Sequence, residues 1–255
     1  MSFNTGFFIQ QSSSVPLVPY SMSFDGVNEY IKFYNDAAYD FAITDSFTGT
    51  SWVKSANYAA AAFQGILSKR DASYKGYVFF IGSGQLQLAL MNSLGNFIYV
   101  TTSGLSLTNN TWYHVAFTYN GNSDQSGVKF FVNGVEVVGR AVLRNDFVGT
   151  MNNSQPLSIS YDPAEIMYFN GKIGYTRLFN TEFTAAQVLA DYNVGVMLET
   201  SLNFANQVMG WKSGQGALFA TEIGTEFFFP NELDPLQISP FTVNMEFTDR
   251  TTDVP

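Results

Sequence analysis

Few residues in this chain have the chemistry of a reaction centre. There is one histidine, His114, and no cysteine, which removes thiol nucleophiles and thiolate zinc sites. No glycine-rich loop runs into Lys-Ser or Lys-Thr, so no phosphate cradle is encoded. The carboxylates nearest to a catalytic pair, Asp162 and Glu165, flank Pro163 in a loop and do not share a strand face. His114 lies within a strand pattern and reads as a packed or hydrogen-bonded sheet histidine. Sugar binding would use exposed aromatic faces with amides and acids beside them. The candidates are Tyr58, Tyr74 and Tyr161, with Asn120, Asn122 and Asp124 in one polar loop. The alternative for each aromatic is core or edge packing. Asp25, before Gly26, is a candidate metal ligand, or else a turn aspartate bonding its own backbone.

Composition limits what could position these residues. Of the 255 residues, 46% are hydrophobic, 16% aromatic and only 13% charged. Abundant Phe, Tyr, Thr and Gly with few charges predicts an all-β protein with many short turns. The net charge of −9 argues against sequence-independent nucleic-acid binding, which needs a basic face. No run of about 20 apolar residues is present, so no spanning helix is predicted. No basic, apolar leader is visible at residues 1–16, and synthesis in the cytoplasm is the expectation. Asn109-Asn110-Thr111 and Asn152-Asn153-Ser154 match the glycan-acceptor pattern and read as turn residues.

Residues 112–119 alternate Tyr113, Val115, Phe117 and Tyr119 with Trp112, His114, Ala116 and Thr118. Bulky groups on both faces predict an inner strand of a two-layer structure. After a polar loop at 120–127, residues 128–138 fold back through Asn133-Gly134, a pair suited to positive φ at both turn positions. Two short strands are predicted around Asp25-Gly26 within 21–33. Further strands are expected at 47–54, 63–69, 76–82, 85–91, 97–101, 156–161 and 169–180, with 140–155 irregular. Thr184 and Gln187 form a capping box, opening a short helix with Val188, Leu189 and Tyr192 on one face and Gly195 as its stop.

Several of these runs resemble laminin-G-like domains of the concanavalin A-like lectin/glucanase superfamily. They are F-D-G-x-x-x-Y-I at 24–31, F-T-x-x-x-W-V-K at 47–54, I-L-S-K at 66–69, W-x-H-V-A-x-T-Y-N-G at 112–121, F-F-V-N-G-x-x-V at 130–137, and the closing strand at 169–180. The resemblance implies a jelly-roll sandwich of two antiparallel sheets with one short helix. It covers residues 20–195, with an N-terminal arm at 1–19 and a β-rich extension at 196–255. That extension is expected to complete the sandwich, form an appended sheet or pair with another copy. Phe3, Phe7, Phe8 and Ile9 in the arm are expected to dock on the parent domain or a neighbour.

The resemblance also implies functions to weigh. Glycoside hydrolases of the superfamily carry an E-x-D-x-x-E strand that places two carboxylates on one face, and no such run exists here. Many laminin-G-like domains hold calcium with acids near the F-D-G turn and on the closing strand. Asp25 matches the first, but Gly174 and Tyr175 stand where Asp-Glu is usual. Phage surface proteins carry similar jelly rolls, which by analogy makes the chain a structural or adhesive virion protein: a capsid decoration, head fibre or tail component assembled in the host cytoplasm. Its partners would be other virion proteins or copies of itself, and host glycans. The alternative is a free, calcium-assisted carbohydrate-binding lectin module.

Overall fold

The computed structural model describes residues 21–33, 35, 37–93 and 95–194, and the backbone course of 207–212, 227–228 and 241–244. The chain begins with β1 (Met22–Asp25), β2 (Tyr30–Phe33) and β3 (Phe47–Ser55). Four strands joined by tight turns follow: β4 (Gln64–Arg70), β5 (Gly76–Gly82), β6 (Gln85–Ser93) and β7 (Asn96–Thr102). Next come β8 (Tyr113–Tyr119), β9 (Val128–Val132), β10 (Val135–Glu136) and β11 (Arg140–Asn145). Three short pieces, β12 (Ser158–Ile159), β13 (Tyr161–Asp162) and β14 (Met167–Tyr168), precede the long β15 (Asn170–Phe179) and the helix α1 (Ala185–Val194). Last are β16 (Gln207–Lys212), β17 (Phe227–Phe228) and β18 (Phe241–Asn244).

Two sheets face each other. The first runs β10-β9-β8-β3-β15-β16-β17, with β1 also on β15, and the second runs β11-β7-β6-β5-β4-β12-β2-β18. The predicted meander is β4 to β7, each strand antiparallel to the next. Between the sheets lies a core rich in rings. Phe47 and Phe79 both meet Phe117 edge-on, at 5.4 and 5.1 Å between centroids. A Cβ on Gly49, opposite Phe117 in the ladder, would come within 2.4 Å of that ring, so the strand interior takes glycine there.

The alternation in β8 is realised on both faces. Val115, Phe117 and Tyr119 enter the core between the sheets. On the outer face, Ala116 joins Phe131, Phe179, Phe183 and Val188 under α1. Trp52, Trp112 and Tyr175 form a neighbouring cluster against Tyr192. The capping box forms as expected: the Thr184 N–H donates to Gln187 Oε1 at 2.9 Å, and the Gln187 N–H to Thr184 Oγ1 at 3.3 Å. The helix is then pinned by Asp191. Its carboxylate accepts from Arg177 at 2.6 Å and lies 2.9 Å from His114 Nε2, all three side chains being buried.

The two short strands expected around Asp25-Gly26 form as β1 and β2, and the turn between them carries the chain from the first sheet to the second. The structure departs from the sequence reading in three places. Residues 140–145 are not irregular but form the exposed edge strand β11 on β7, in which even Ala141, Val142 and Leu143 are exposed, so no in–out alternation marks it. The single strand expected at 156–161 breaks at Ser160, whose φ of +66° leads the chain from β12 in the second sheet into the separate β13–β14 hairpin. Leu189 is 42% exposed, and the buried helix face uses Val188 and Asp191. The Asn133-Gly134 hairpin has both φ angles positive, at +50° and +77°. The backbone of β16 pairs with β15 and that of β18 with β2. The arm at 1–19, Gly195 and most of 196–255 lie outside the described residues.

Burial alone would raise the pKa of Asp191, but Arg177 and the bond with His114 outweigh it and hold it at about 2, below the ordinary 3.8. A lowered carboxylate pKa stabilises the fold fully above the unfolded value and loses that contribution as pH falls through the folded one. Asp191→Asn should therefore cost about 3–5 kcal/mol near neutral pH by stranding buried Arg177. It should also flatten the fall in melting temperature between pH 3.8 and about 2. Thermal melts across that range check both.

Candidate ligand-binding site

The β13–β14 hairpin rises from the outer face of the second sheet. Ser160 anchors its base: its N–H donates to the Ile66 carbonyl, and its hydroxyl donates to the Glu29 carbonyl at 3.0 Å. The hairpin is then locked by a buried ion pair. Arg70 Nε and Nη2 donate to the two oxygens of Asp162 at 2.9 and 2.6 Å, and Ser68 Oγ adds a bond of 2.7 Å. Asp162 is fully buried and Arg70 nearly so. The same carboxylate accepts the N–H groups of Ala164 and Glu165 at 3.2 and 3.0 Å, closing the turn over 163–166. Bidentate geometry and these extra donors replace the hydration that burial removes.

This hairpin presents Tyr161 and Tyr168, which face each other across the ladder. Their rings stack at 5.0 Å between centroids. On β2, Ile31 and Phe33 turn into the core, so alternation sends Tyr30 and Lys32 outward. Tyr30 stacks on Tyr161 at 4.9 Å and sits 6.4 Å from Tyr168. The Lys32 ammonium lies 4.8 Å from the Tyr30 centroid and 5.0 Å from that of Tyr161. All four side chains are half-buried. Partial burial, followed by the neighbouring tyrosines and Asp162 or Asp25, raises the phenol pKa of Tyr161 and Tyr168. Both stay neutral at physiological pH and keep a hydroxyl able to donate.

Of the predicted binding residues, only Tyr161 belongs to this cluster. Tyr58 is a core residue, 1% exposed. Its hydroxyl donates to the carbonyls of Val53 and Thr111 at 3.0 and 2.9 Å, so it offers no face to a ligand. Tyr74 touches the Arg70 end of the ion pair, with the guanidinium 5.2 Å from its ring centroid, and the nearby Glu165 carboxylate raises its phenol pKa. Asn120, Asn122 and Asp124 spend their side chains on their own loop. Asn120 Oδ1 accepts from the N–H of Asn122, Asn122 Oδ1 from that of Asp124, and Asp124 from Ser126 and Asn145. That loop abuts β11, six strand positions from β2 in the second sheet, or roughly 30 Å at ordinary strand spacing. A ligand of a few sugars cannot touch both.

The calcium reading of Asp25 is also corrected. Its Oδ1 accepts the N–H groups of Val27 and Asn28 at 2.7 and 3.1 Å, the geometry of a turn aspartate. The slight burial raises its pKa, and the N–H groups of Val27, Asn28 and Glu29 more than reverse that. Among the described residues no group of three His, Cys, Asp or Glu is placed to hold a metal. Calcium needs six to eight oxygens, so the residues present do not fit it. Asp162, the nearest approach to a catalytic acid, has both oxygens engaged by Arg70. Sequence reasoning missed Tyr30, Lys32 and Tyr168. The outward i, i+2 pair on β2 was a signal for the first two, while the partner of Tyr168 depends on the break at Ser160.

If the ion pair positions the hairpin, Asp162→Ala should cost about 3–5 kcal/mol by leaving Arg70 buried and unpaired. The double change Arg70→Met with Asp162→Leu should recover much of the stability. Urea unfolding of the single and double variants checks this, and equal losses in both would contradict it.

Residues 25–189 match the model of the Concanavalin A-like lectin/glucanases superfamily. No curated protein sequence matches the chain. Among solved structures, a heptameric SAP-like pentraxin from Limulus polyphemus is similar with a TM-score of 0.50 at 15% identity, over 70% of this chain and 82% of its own. A putative carbohydrate binding protein from Bacteroides ovatus aligns with a TM-score of 0.51 at 20% identity, over 76% of this chain and 52% of its own. The binding domain of botulinum neurotoxin DC, in complex with rat synaptotagmin II, aligns with a TM-score of 0.51 at 13% identity, over 71% of this chain and 52% of its own. The chain thus spans about half the length of the last two, and at these identities the likeness is one of fold. With more than half of its length inside the family match, and two antiparallel sheets carrying the motifs in order, the protein belongs to the Concanavalin A-like lectin/glucanases superfamily.

Proposed function

We propose that the protein is a non-enzymatic, lectin-like glycan-binding protein whose ligand face is the Tyr30–Tyr161–Tyr168 cluster. The observation that carries this reading is the stacked, half-buried set of three tyrosines on the outer face of the second sheet. An aromatic face packs well on the C–H side of a pyranose, and the raised phenol pKa of Tyr161 and Tyr168 keeps their hydroxyls protonated for hydrogen bonds. The cluster is pre-organised by the hairpin, so little ordering entropy is spent on binding. Superfamily membership supports the reading, as does the fold shared with the putative carbohydrate binding protein. The engagement of Asp162 by Arg70 supports binding without catalysis, since a glycosidase needs two free carboxylates on one cleft.

The proposal extends to the setting. The domain is displayed on a phage particle, as a decoration, head fibre or tail-associated protein, with residues 1–19 and 196–255 as assembly segments. What supports this is compositional: residues 3–9 include the apolar Phe3, Phe7, Phe8 and Ile9, and no cysteine requires an oxidising compartment.

On a glycan array, Tyr161→Ala should weaken binding by roughly three- to tenfold, the worth of one aromatic contact, without loss of fold. Tyr58→Phe should leave binding unchanged and lower stability by about 1–3 kcal/mol, because the buried Val53 carbonyl and the part-buried Thr111 carbonyl lose the donor they share. The reverse pattern would refute the assigned face. For the setting, the chain should co-sediment with gradient-purified particles at fixed stoichiometry. Its absence from such particles would remove the virion reading and leave the glycan-binding reading untouched.

A further inference from the structure

The Lys32 ammonium is set against two rings of the cluster, and among the described residues it has no carboxylate partner. Its Nζ lies within 5 Å of the Tyr30 and Tyr161 centroids, while the ion pairs among the described residues are made by other cations. No hydrogen bond from Nζ is made to a described residue either. Its side chain is half-buried, with the apolar stem covered and the ammonium held at the rings. In a protein of net charge −9, where Lys69, Arg70 and Arg177 are all bound to aspartates, this is a cation positioned at the candidate ligand face and left open.

Resting on the glycan-binding reading above, we infer that the site selects acidic sugars, with Lys32 taking the carboxylate or sulfate of the glycan while the tyrosine rings take its apolar face. The two aromatic rings hold the ammonium by cation–π attraction, so its three N–H donors need not be ordered when the anion arrives. An ammonium is a point charge with rotatable donors and suits either a carboxylate or a sulfate. None of the nearby acids is ion-paired with it. Asp25 Oδ1 is committed to its own turn, Glu29 Oε2 accepts the Asp25 N–H at 2.7 Å, and Asp162 is buried under Arg70. A neutral oligosaccharide would gain the stacking alone.

The test uses the full chain and a matched pair of probes: a uronic-acid-containing oligosaccharide that binds on the array, and the same oligosaccharide with its carboxyl reduced to the alcohol. Titration calorimetry should give about tenfold tighter binding of the acidic form, the worth of one charge-assisted hydrogen bond, and the difference should shrink with added salt. Lys32→Met keeps the apolar stem and should reduce the acidic form to the affinity of the reduced one, leaving the reduced form unchanged. Equal affinity of the wild type for both probes would overturn the inference while sparing the glycan reading. So would a preference that survives Lys32→Met. If no oligosaccharide on the array, acidic or neutral, is bound, the glycan reading fails and the inference with it.

Discussion

Asp162 is a carboxylate without water, tolerated because Arg70, Ser68 and two backbone N–H groups together replace its hydration. What hangs on that arrangement is more than local stability. The β13–β14 hairpin has only two residues in each strand, too few to hold itself in place. The ion pair ties it to β4, and Ser160 ties its base to the second sheet through Ile66 and Glu29. With the hairpin fixed, Tyr161 and Tyr168 reach Tyr30 and Lys32 on β2, which precedes them by more than a hundred residues. The candidate site is therefore made by a long-range electrostatic contact, and the aromatic stacking follows from it.

A second buried charge cluster serves the opposite side of the sandwich. Asp191 on α1 meets Arg177 on β15 and His114 on β8, so one helix is clamped to two strands of the first sheet. Both clusters show the same economy. The sheets are held by apolar burial, which is strong but non-directional. The elements laid over them are located by bidentate or hydrogen-bonded charge pairs, which are directional and costly to break. Arg70, Asp162, Arg177 and Asp191 fill these roles, so the chain buries two arginines without leaving either unpaired.

Most of the fold could be read from the sequence because its signals are local. The alternation over 112–119, the Asn133-Gly134 turn and the Thr184–Gln187 capping box each depend on neighbours a few residues away, and each forms as expected. What could not be read depends on partners distant in sequence. The destination of β2 after Gly26 is fixed by pairing with β12 and β18, not by the turn that precedes it. β11 has no alternation because its side chains are exposed along its whole length. The site shows the same division. Tyr161 was visible as an aromatic near a polar loop, but so was Tyr58, and only packing distinguishes a ring in the core from one on the surface. His114 read as a packed histidine, yet its partner Asp191 lies on a helix whose sequence pattern marked Leu189 as the buried face.

Placement on the outer face of the second sheet puts the tyrosines where loops do not have to close over a ligand. Rigid strands and a locked hairpin carry the site, so selectivity would come from the shape and charge of a preformed surface. The most direct measurement is a tyrosine-selective carbon-13 NMR titration of the full chain with the tightest oligosaccharide from the array. The account predicts chemical-shift changes at Tyr30, Tyr161 and Tyr168, with the core resonances of Tyr58 and Tyr77 unmoved. Shifts confined to tyrosines elsewhere, or none at saturating ligand, would contradict it.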